Sequence, residues 1–290
     1  MTAPPALSRL WVDGRRMPAT QPVFAATDRG ATLGDAVFDT ALCLGGTVVF
    51  GDAHRARLIA MAEACSHRID LDLLARAYGA GRAGDPPAVL RISISRGAAA
   101  RGLAIDATAT SQITAQMSPL PHGIQFSPLS LDVAEIRRND SSPLSRMKTA
   151  GYLDAILATQ AARQNGFDDA LFLNTKGKVT CTTMANIFAV TGDSLVTPPI
   201  HDGALPGITR DLILKLAADT GLEPMESSLD LDDVIEADEV FLTNSLRHVV
   251  PVRNMGGTSL RARSALAQGL REKVSKQAGV TLPLPDWIDA

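Results

Sequence analysis

Short runs of aliphatic and β-branched residues, set between turn formers, recur along the whole 290-residue chain, with helical stretches inserted among them. Leu10–Val12, Ala36–Cys43, Thr47–Phe50, Val89–Ser95 and Gln112–Met117 read as strands, and Gly45-Gly46 as the hairpin turn between the second and third. Helices are expected over Asp52–His67, with Leu58, Ile59, Ala62 and Cys65 on one face, and over Leu71–Tyr78. Ser118–Gly123 has linker composition and divides residues 1–120 from residues 121–290. Strands at Ile124–Ser127 and Leu129–Ile136 should open the second part. A helix then runs from Ala150 to Gln164, turning Leu153, Ile156, Leu157 and Ala161 inward and stopping at Gly166. Further strands are predicted at Asp169–Leu173, Val179–Thr182, Asn186–Val190, Ser194–Val196, Glu239–Thr243 and His248–Val252. Helices are predicted over 207–221, with Leu212, Ile213, Leu216 and Ala217 inward, and over Arg263–Gln277. Hairpin strands mixed with helices predict an α+β or mixed α/β protein of two lobes, not a doubly wound parallel sheet.

Composition narrows the function classes. With 28 basic against 31 acidic residues, the chain has no electrostatic footprint for nucleic acid or an anionic membrane. Aromatics make up 4%, which leaves few platforms for base stacking. No apolar stretch reaches about 18 residues, so no membrane span is expected, and Met1–Arg9 has no signal-peptide core. Cys43, Cys65 and Cys181 are an odd, scattered set, read as reduced thiols of a cytoplasmic protein rather than a disulfide frame or zinc site. No phosphate-binding glycine loop, nucleophile elbow or histidine cluster is present.

Lysine is the informative residue, with 6 against 22 arginines. Lys148, at the start of the helix expected from Ala150, reads either as a solvated charge or as a desolvated amine suited to Schiff-base chemistry. Pro206-Gly207-Ile208-Thr209 offers the free N–H groups of a helix N-terminus and the Thr209 hydroxyl to an anion; the alternative is Thr209 as a plain N-cap. Thr243-Asn244-Ser245 follows a strand and reads as phosphate donors or as an ordinary turn, and Arg57 as a phosphate partner or a solvated helix arginine. Together these groups suit a phosphorylated cofactor bearing an aldehyde, pyridoxal 5′-phosphate.

With those residues in view, the sequence resembles the class IV aminotransferases, the fold type IV enzymes, from about Leu10 to Gly257. Asp28-Arg29-Gly30 with Leu33-Gly34-Asp35-Ala36-Val37-Phe38, His54-Arg55-Ala56-Arg57, Lys148, Asn186-Ile187-Phe188, Gly207-Ile208-Thr209-Arg210 and Thr243-Asn244-Ser245 fall in the family's order. The resemblance implies two lobes with the active site between them, a homodimer, and Lys148 as the Schiff-base lysine and proton shuttle. It assigns the cofactor to Arg57, Ile208, Thr209, Thr243 and Asn244, and the substrate to Phe38 and Arg101. One position departs. Cys181 stands where the family has the glutamate that keeps the pyridine nitrogen protonated, and a neutral thiol is a poorer partner for an electron-sink ring. Amino transfer between an amino acid of D- or branched-chain type and a 2-oxo acid is the first reading. Ser95-Arg96-Gly97 with Arg101-Gly102-Leu103 is similar to the 4-amino-4-deoxychorismate lyases, which release pyruvate and 4-aminobenzoate. A cofactor-impaired protein is the third.

Overall fold

The computed structural model describes residues 9–81, 87–105, 109–120, 128–261 and 264–279, so the strand expected at Ile124–Ser127 lies outside the described residues. By their contacts the residues form two units. One comprises residues up to 121 together with Lys148–Gly151; the other comprises 122–147 and everything from Tyr152 onward. The lysine expected in the second lobe thus packs with the first.

The first unit runs β1 (Arg9–Val12), β2 (Arg15–Met17), α1 (Arg29–Leu33), β3 (Ala36–Leu44), β4 (Thr47–Val48), α2 (Gly51–Ala64), α3 (Leu71–Ala80), β5 (Ala88–Ser95) and β6 (Gln112–Pro119). Its strands make one antiparallel sheet in the order β2-β1-β6-β5-β3-β4. The β3–β4 hairpin turns through Gly45 and Gly46, both at positive φ (52° and 71°), a conformation open to glycine at little steric cost. Leu42, Leu90, Ile92, Ile94 and Ile113 are buried, and α2 contributes His54, Leu58, Met61 and Ala62. The face expected on this helix is therefore rotated, with Met61 and His54 buried in place of Ile59 and Cys65. The helix ends at Ala64, just before Ser66 turns left-handed at φ 57°.

The second unit runs β7 (Leu129–Val133), α4 (Leu153–Gln164), β8 (Asp169–Leu173), β9 (Val179–Thr182), β10 (Asn186–Thr191), β11 (Ser194–Thr197), α5 (Ile208–Leu216), β12 (Glu223–Glu226), α6 (Leu231–Glu236), β13 (Glu239–Asn244), β14 (His248–Met255), β15 (Thr258–Ser259) and α7 (Ser264–Ala278). Its sheet follows β12-β11-β10-β13-β14-β7-β8-β9, and β9 pairs back onto β10 through Cys181 and Asn186, closing a ring of strands. The pairs β7–β14, β7–β8 and β11–β12 are parallel and the others antiparallel. Inside lie Leu131, Leu171, Val179, Ile187, Val240, Leu242 and Val252. Phe188 and Phe241, paired across β10 and β13, stack with ring centres 5.1 Å apart.

α4 corrects an expectation. Leu153, Ile156 and Leu157 are 65, 58 and 47% exposed, and Ala161 is exposed as well. The helix instead buries Ala158 and Ala162 among Ala134, Ala170, Phe172 and Cys181. Both stripes satisfy the helical period, and the small-residue stripe lets the helix approach the strands closely. Among the described residues no helix is long and apolar enough to cross a membrane.

Candidate active site

Lys148 joins the first unit by backbone pairing. β3 pairs with β5 from Ala36 to Cys43 but with β4 only at Cys43 and Leu44, leaving unpaired groups on its second edge at Ala36–Phe38. Lys148–Ala150 occupies that edge: Phe38 N–H donates to the Lys148 carbonyl at 2.8 Å, and Ala150 N–H to the Ala36 carbonyl at 2.9 Å. The lysine predicted at a helix start therefore sits in extended chain, and the helix begins five residues later at Leu153.

Its side chain finds an unusual surrounding. Lys148 Nζ stands 4.2 Å from the Phe38 ring centre, and Arg91 Cζ lies 3.6 Å from the same centre. Next along β3, Asp39, 2% exposed, grips Arg57 of α2 in a two-point fork: Nε donates to Oδ2 at 2.9 Å and an Nη to Oδ1 at 2.8 Å. His54 Nδ1 lies 2.8 Å from the same Oδ1. Burial pushes the Asp39 carboxyl up, yet the His54 hydrogen bond and the Arg57 charge outweigh it and hold the group at about 2. Burial drives the Lys148 ammonium down to about 8; Asp39 opposes this while Arg57 and Arg91 reinforce it. Such an amine is neutral in a useful fraction near neutral pH and so is a competent nucleophile or base.

Phe38, Arg57 and Lys148 are thus brought together, and Asp39, His54 and Arg91 are additions that sequence reasoning passed over. A carboxylate within a mostly apolar strand was the available signal for Asp39. His54 and Arg57, three apart on one helix face, were the signal for its partners. Arg101 is exposed, in the loop between β5 and β6.

The second unit holds the other group. Gly207, not Thr209, is the N-cap of α5, in extended backbone (φ −75°, ψ 137°) and with no side chain capping the helix. Ile208 and Thr209 are the first two helical residues, with backbone N–H groups directed out of the helix start. A Cβ at Gly207 would collide with Asn186 Oδ1, so any other residue there forces the Asn186 side chain to shift. Asn186 donates through Nδ2 to the Leu205 carbonyl at 2.8 Å and pairs with Thr243 across β10 and β13. Those links set the α5 start beside the end of β13. Thr209 and Thr243 are each 1% exposed, and among the described residues neither Oγ1 has a hydrogen-bond partner. Two buried hydroxyls without partners among the described residues, beside an uncapped helix start, are donors of the kind that suit an anion. These residues fit the phosphate of the expected cofactor.

Asn244 has another task. Its Oδ1 accepts from the Leu246 and Arg247 amides at 3.0 and 2.8 Å, and Nδ2 donates to the Met184 carbonyl at 3.3 Å. The Asn244 side chain thus ties the turn after β13, while the Thr243 hydroxyl has no hydrogen-bond partner among the described residues. Cys181, 5% exposed, lies in the Ala134, Ala158, Ala162, Ala170 and Phe172 cluster with Thr180 Oγ1 3.6 Å from its sulfur. No cluster of three or more metal-ligating side chains occurs among the described residues.

Comparison with known proteins follows the same lines. The family model for amino-transferase class IV matches residues 36–255. A Methanocaldococcus jannaschii protein named as a branched-chain-amino-acid aminotransferase is 28% identical over 274 residues, covering 91% of this chain and 94% of its own. The aminodeoxychorismate lyase of Bacillus subtilis is also 28% identical over 274 residues, covering 89 and 92%. The crystal structure of the Thermoproteus uzoniensis branched-chain aminotransferase with norvaline superposes with a TM-score of 0.85 at 23% identity, covering 93 and 94% of the two chains, and so shares the fold.

Proposed function

Because the chain belongs to the amino-transferase class IV family, whose enzymes depend on pyridoxal 5′-phosphate for transaminase or lyase chemistry, we propose that it transfers an amino group between an amino acid of D- or branched-chain type and a 2-oxo acid. The observation that carries this reading is the desolvated Lys148 amine, held near pKa 8 against Phe38 and beside the Asp39–Arg57 pair. The cofactor, when bound, supplies an aldehyde that captures primary amines and a ring that withdraws electrons from them. Ile208, Thr209 and Thr243 would hold its phosphate. Asp39 fixes the orientation of Arg57, which the family pattern also directs to the phosphate. Lys148 would take the aldehyde and then, as a free amine, move a proton at the substrate α-carbon. Arg101 would take the substrate carboxylate. Borohydride reduction of the purified enzyme should place a stable cofactor label on Lys148, and a panel of D- and L-amino acids with 2-oxoglutarate or pyruvate should yield paired products. A colourless protein that takes up no added cofactor refutes the reading.

A second reading rests on Cys181. Cys181 lies among alanines and a phenylalanine where the family pattern has a carboxylate, a setting more compatible with pyruvate elimination from 4-amino-4-deoxychorismate than with amino transfer. Release of 4-aminobenzoate, without any half-reaction on amino acids, would select it.

The exposed Leu153, Ile156 and Leu157 stripe supports a homodimer, since a contiguous apolar face of this kind is costly in water. Three free cysteines support a cytoplasmic setting.

A further inference from the structure

Two buried arginines have no part in the chemistry above. Arg29 and Arg96, 6 and 4% exposed, both donate through Nε to Asp35 Oδ2, at 2.8 and 2.7 Å. Burial pushes the Asp35 carboxyl up, but the Arg96 and Arg29 hydrogen bonds overcome it and keep the group below the ordinary carboxylate value. His67 Nε2 lies 3.6 Å from the other carboxylate oxygen. Arg96 also donates through its two Nη atoms to the Ser66 and Cys65 carbonyls, at 2.9 and 2.5 Å, at the end of α2. Arg29 turns the other way, donating to the Gly102 carbonyl at 2.7 Å and the Leu103 carbonyl at 3.4 Å. Its own backbone N–H holds the Gly97 carbonyl at 2.9 Å.

The segment so gripped begins and ends in backbone conformations that favour glycine, Gly97 at φ 89° and Gly102 at φ 133°. Its base is locked a second time: Ser95 Oγ donates to Asp28 Oδ1 at 2.6 Å, and Ala99 N–H to the Thr27 carbonyl at 3.2 Å. Its side chains point outward. Arg101 is exposed, and Leu103 is 81% exposed. Desolvating two guanidinium groups around one carboxylate is a costly way to gain stability, which apolar side chains provide more cheaply. What this arrangement supplies instead is a loop backbone ordered before any ligand arrives, so that binding does not have to order it.

We propose that Arg29 and Arg96, joined through Asp35, are positioning residues that hold the 97–103 loop so that Arg101 meets the substrate carboxylate, making Arg29 a determinant of substrate selection. The proposal rests on the amino-transfer reading and deepens it. Arg29 is the decisive member because, among the described residues, it alone links Asp35 to the two loop carbonyls. A lysine there reaches one of those partners but not both.

The test uses the holoenzyme and its best amino-acid substrate. Arg29→Lys should raise KM about tenfold or more while kcat falls by a smaller factor, the pattern of lost binding rather than lost chemistry. Combined with Arg101→Ala it should add little further to KM, because both changes remove the same interaction. Without substrate, trypsin should cut the Arg101–Gly102 bond of the variant about tenfold faster, followed by mass spectrometry. Should Arg29→Lys not fold, Gly102→Ala strains the same loop backbone from its exposed side, and the same rise in KM is expected. Unchanged KM and cleavage in a folded variant, or KM effects of Arg29 and Arg101 that multiply fully, overturn the proposal. If the wild-type enzyme transfers no amino group, the functional reading fails by itself, and the trypsin measurement still decides whether Arg29 holds the loop.

Discussion

Replacing Thr243 by valine removes one hydroxyl and leaves the branched shape in place, at a site 1% exposed where Oγ1 has no partner among the described residues. In the cofactor-free protein that hydroxyl is withdrawn from water with no hydrogen-bond partner among the described residues. Removing it should therefore stabilise the protein by about 1–3 kcal/mol. For a chain of this size the midpoint of thermal unfolding should rise by about 2 °C or more. In the loaded enzyme the sign reverses. A hydrogen bond to a charged phosphate contributes about 1.5–3 kcal/mol, so cofactor retention should weaken by about 10- to 150-fold. Thr209→Val should behave alike, since its hydroxyl is equally buried and equally unpaired. Unfolding with and without pyridoxal 5′-phosphate, together with equilibrium dialysis of the cofactor, measures both effects. A variant less stable than wild type without cofactor would show that the hydroxyl already has a partner. Unchanged cofactor affinity would remove Thr243 from the phosphate site.

The Lys148 ammonium titrates near 8 in the folded protein against 10.5 for an ordinary lysine. Its burial therefore destabilises the cofactor-free fold below pH 8, and the cost fades as pH rises toward 10.5. Lys148→Met should accordingly be more stable than wild type at pH 7, with the difference closing across that window in urea titrations, and should abolish turnover. Cys181→Glu puts a carboxylate among Ala134, Ala158, Ala162, Ala170 and Phe172. It should lower cofactor-free stability by several kcal/mol, roughly, and tighten cofactor retention; equal losses with and without cofactor would place Cys181 away from the ring. Ile156→Asp, at a residue 58% exposed, should convert a dimer to monomers in sedimentation while leaving the monomer's stability within about 0.5 kcal/mol.

Strand alternation, the Gly45-Gly46 turn and the stop at Gly166 are local properties, decided by φ/ψ preference and by the spacing of a few neighbouring side chains, and for that reason the sequence alone determined most elements and the mixed α/β class. It also singled out the lysine, the glycine ahead of α5 and the two threonines, because those residue types carry their chemistry wherever they are placed. Tertiary structure decided the rest. Lys148 is extended rather than helical because a strand edge 112 residues earlier in the chain has unpaired N–H and C=O groups that it satisfies. Leu153, Ile156 and Leu157 face outward because α4 has two stripes of equal period, and only the surface it meets selects the alanines. Asp39, His54 and Arg57 became one cluster when a strand and a helix packed together, and the Arg29–Asp35–Arg96 bridge formed in the same way. Periodicity along a chain is written in the sequence. Which face is buried, and which distant charge stands opposite it, is a property of the partner surface, and that exists only once the chain has folded.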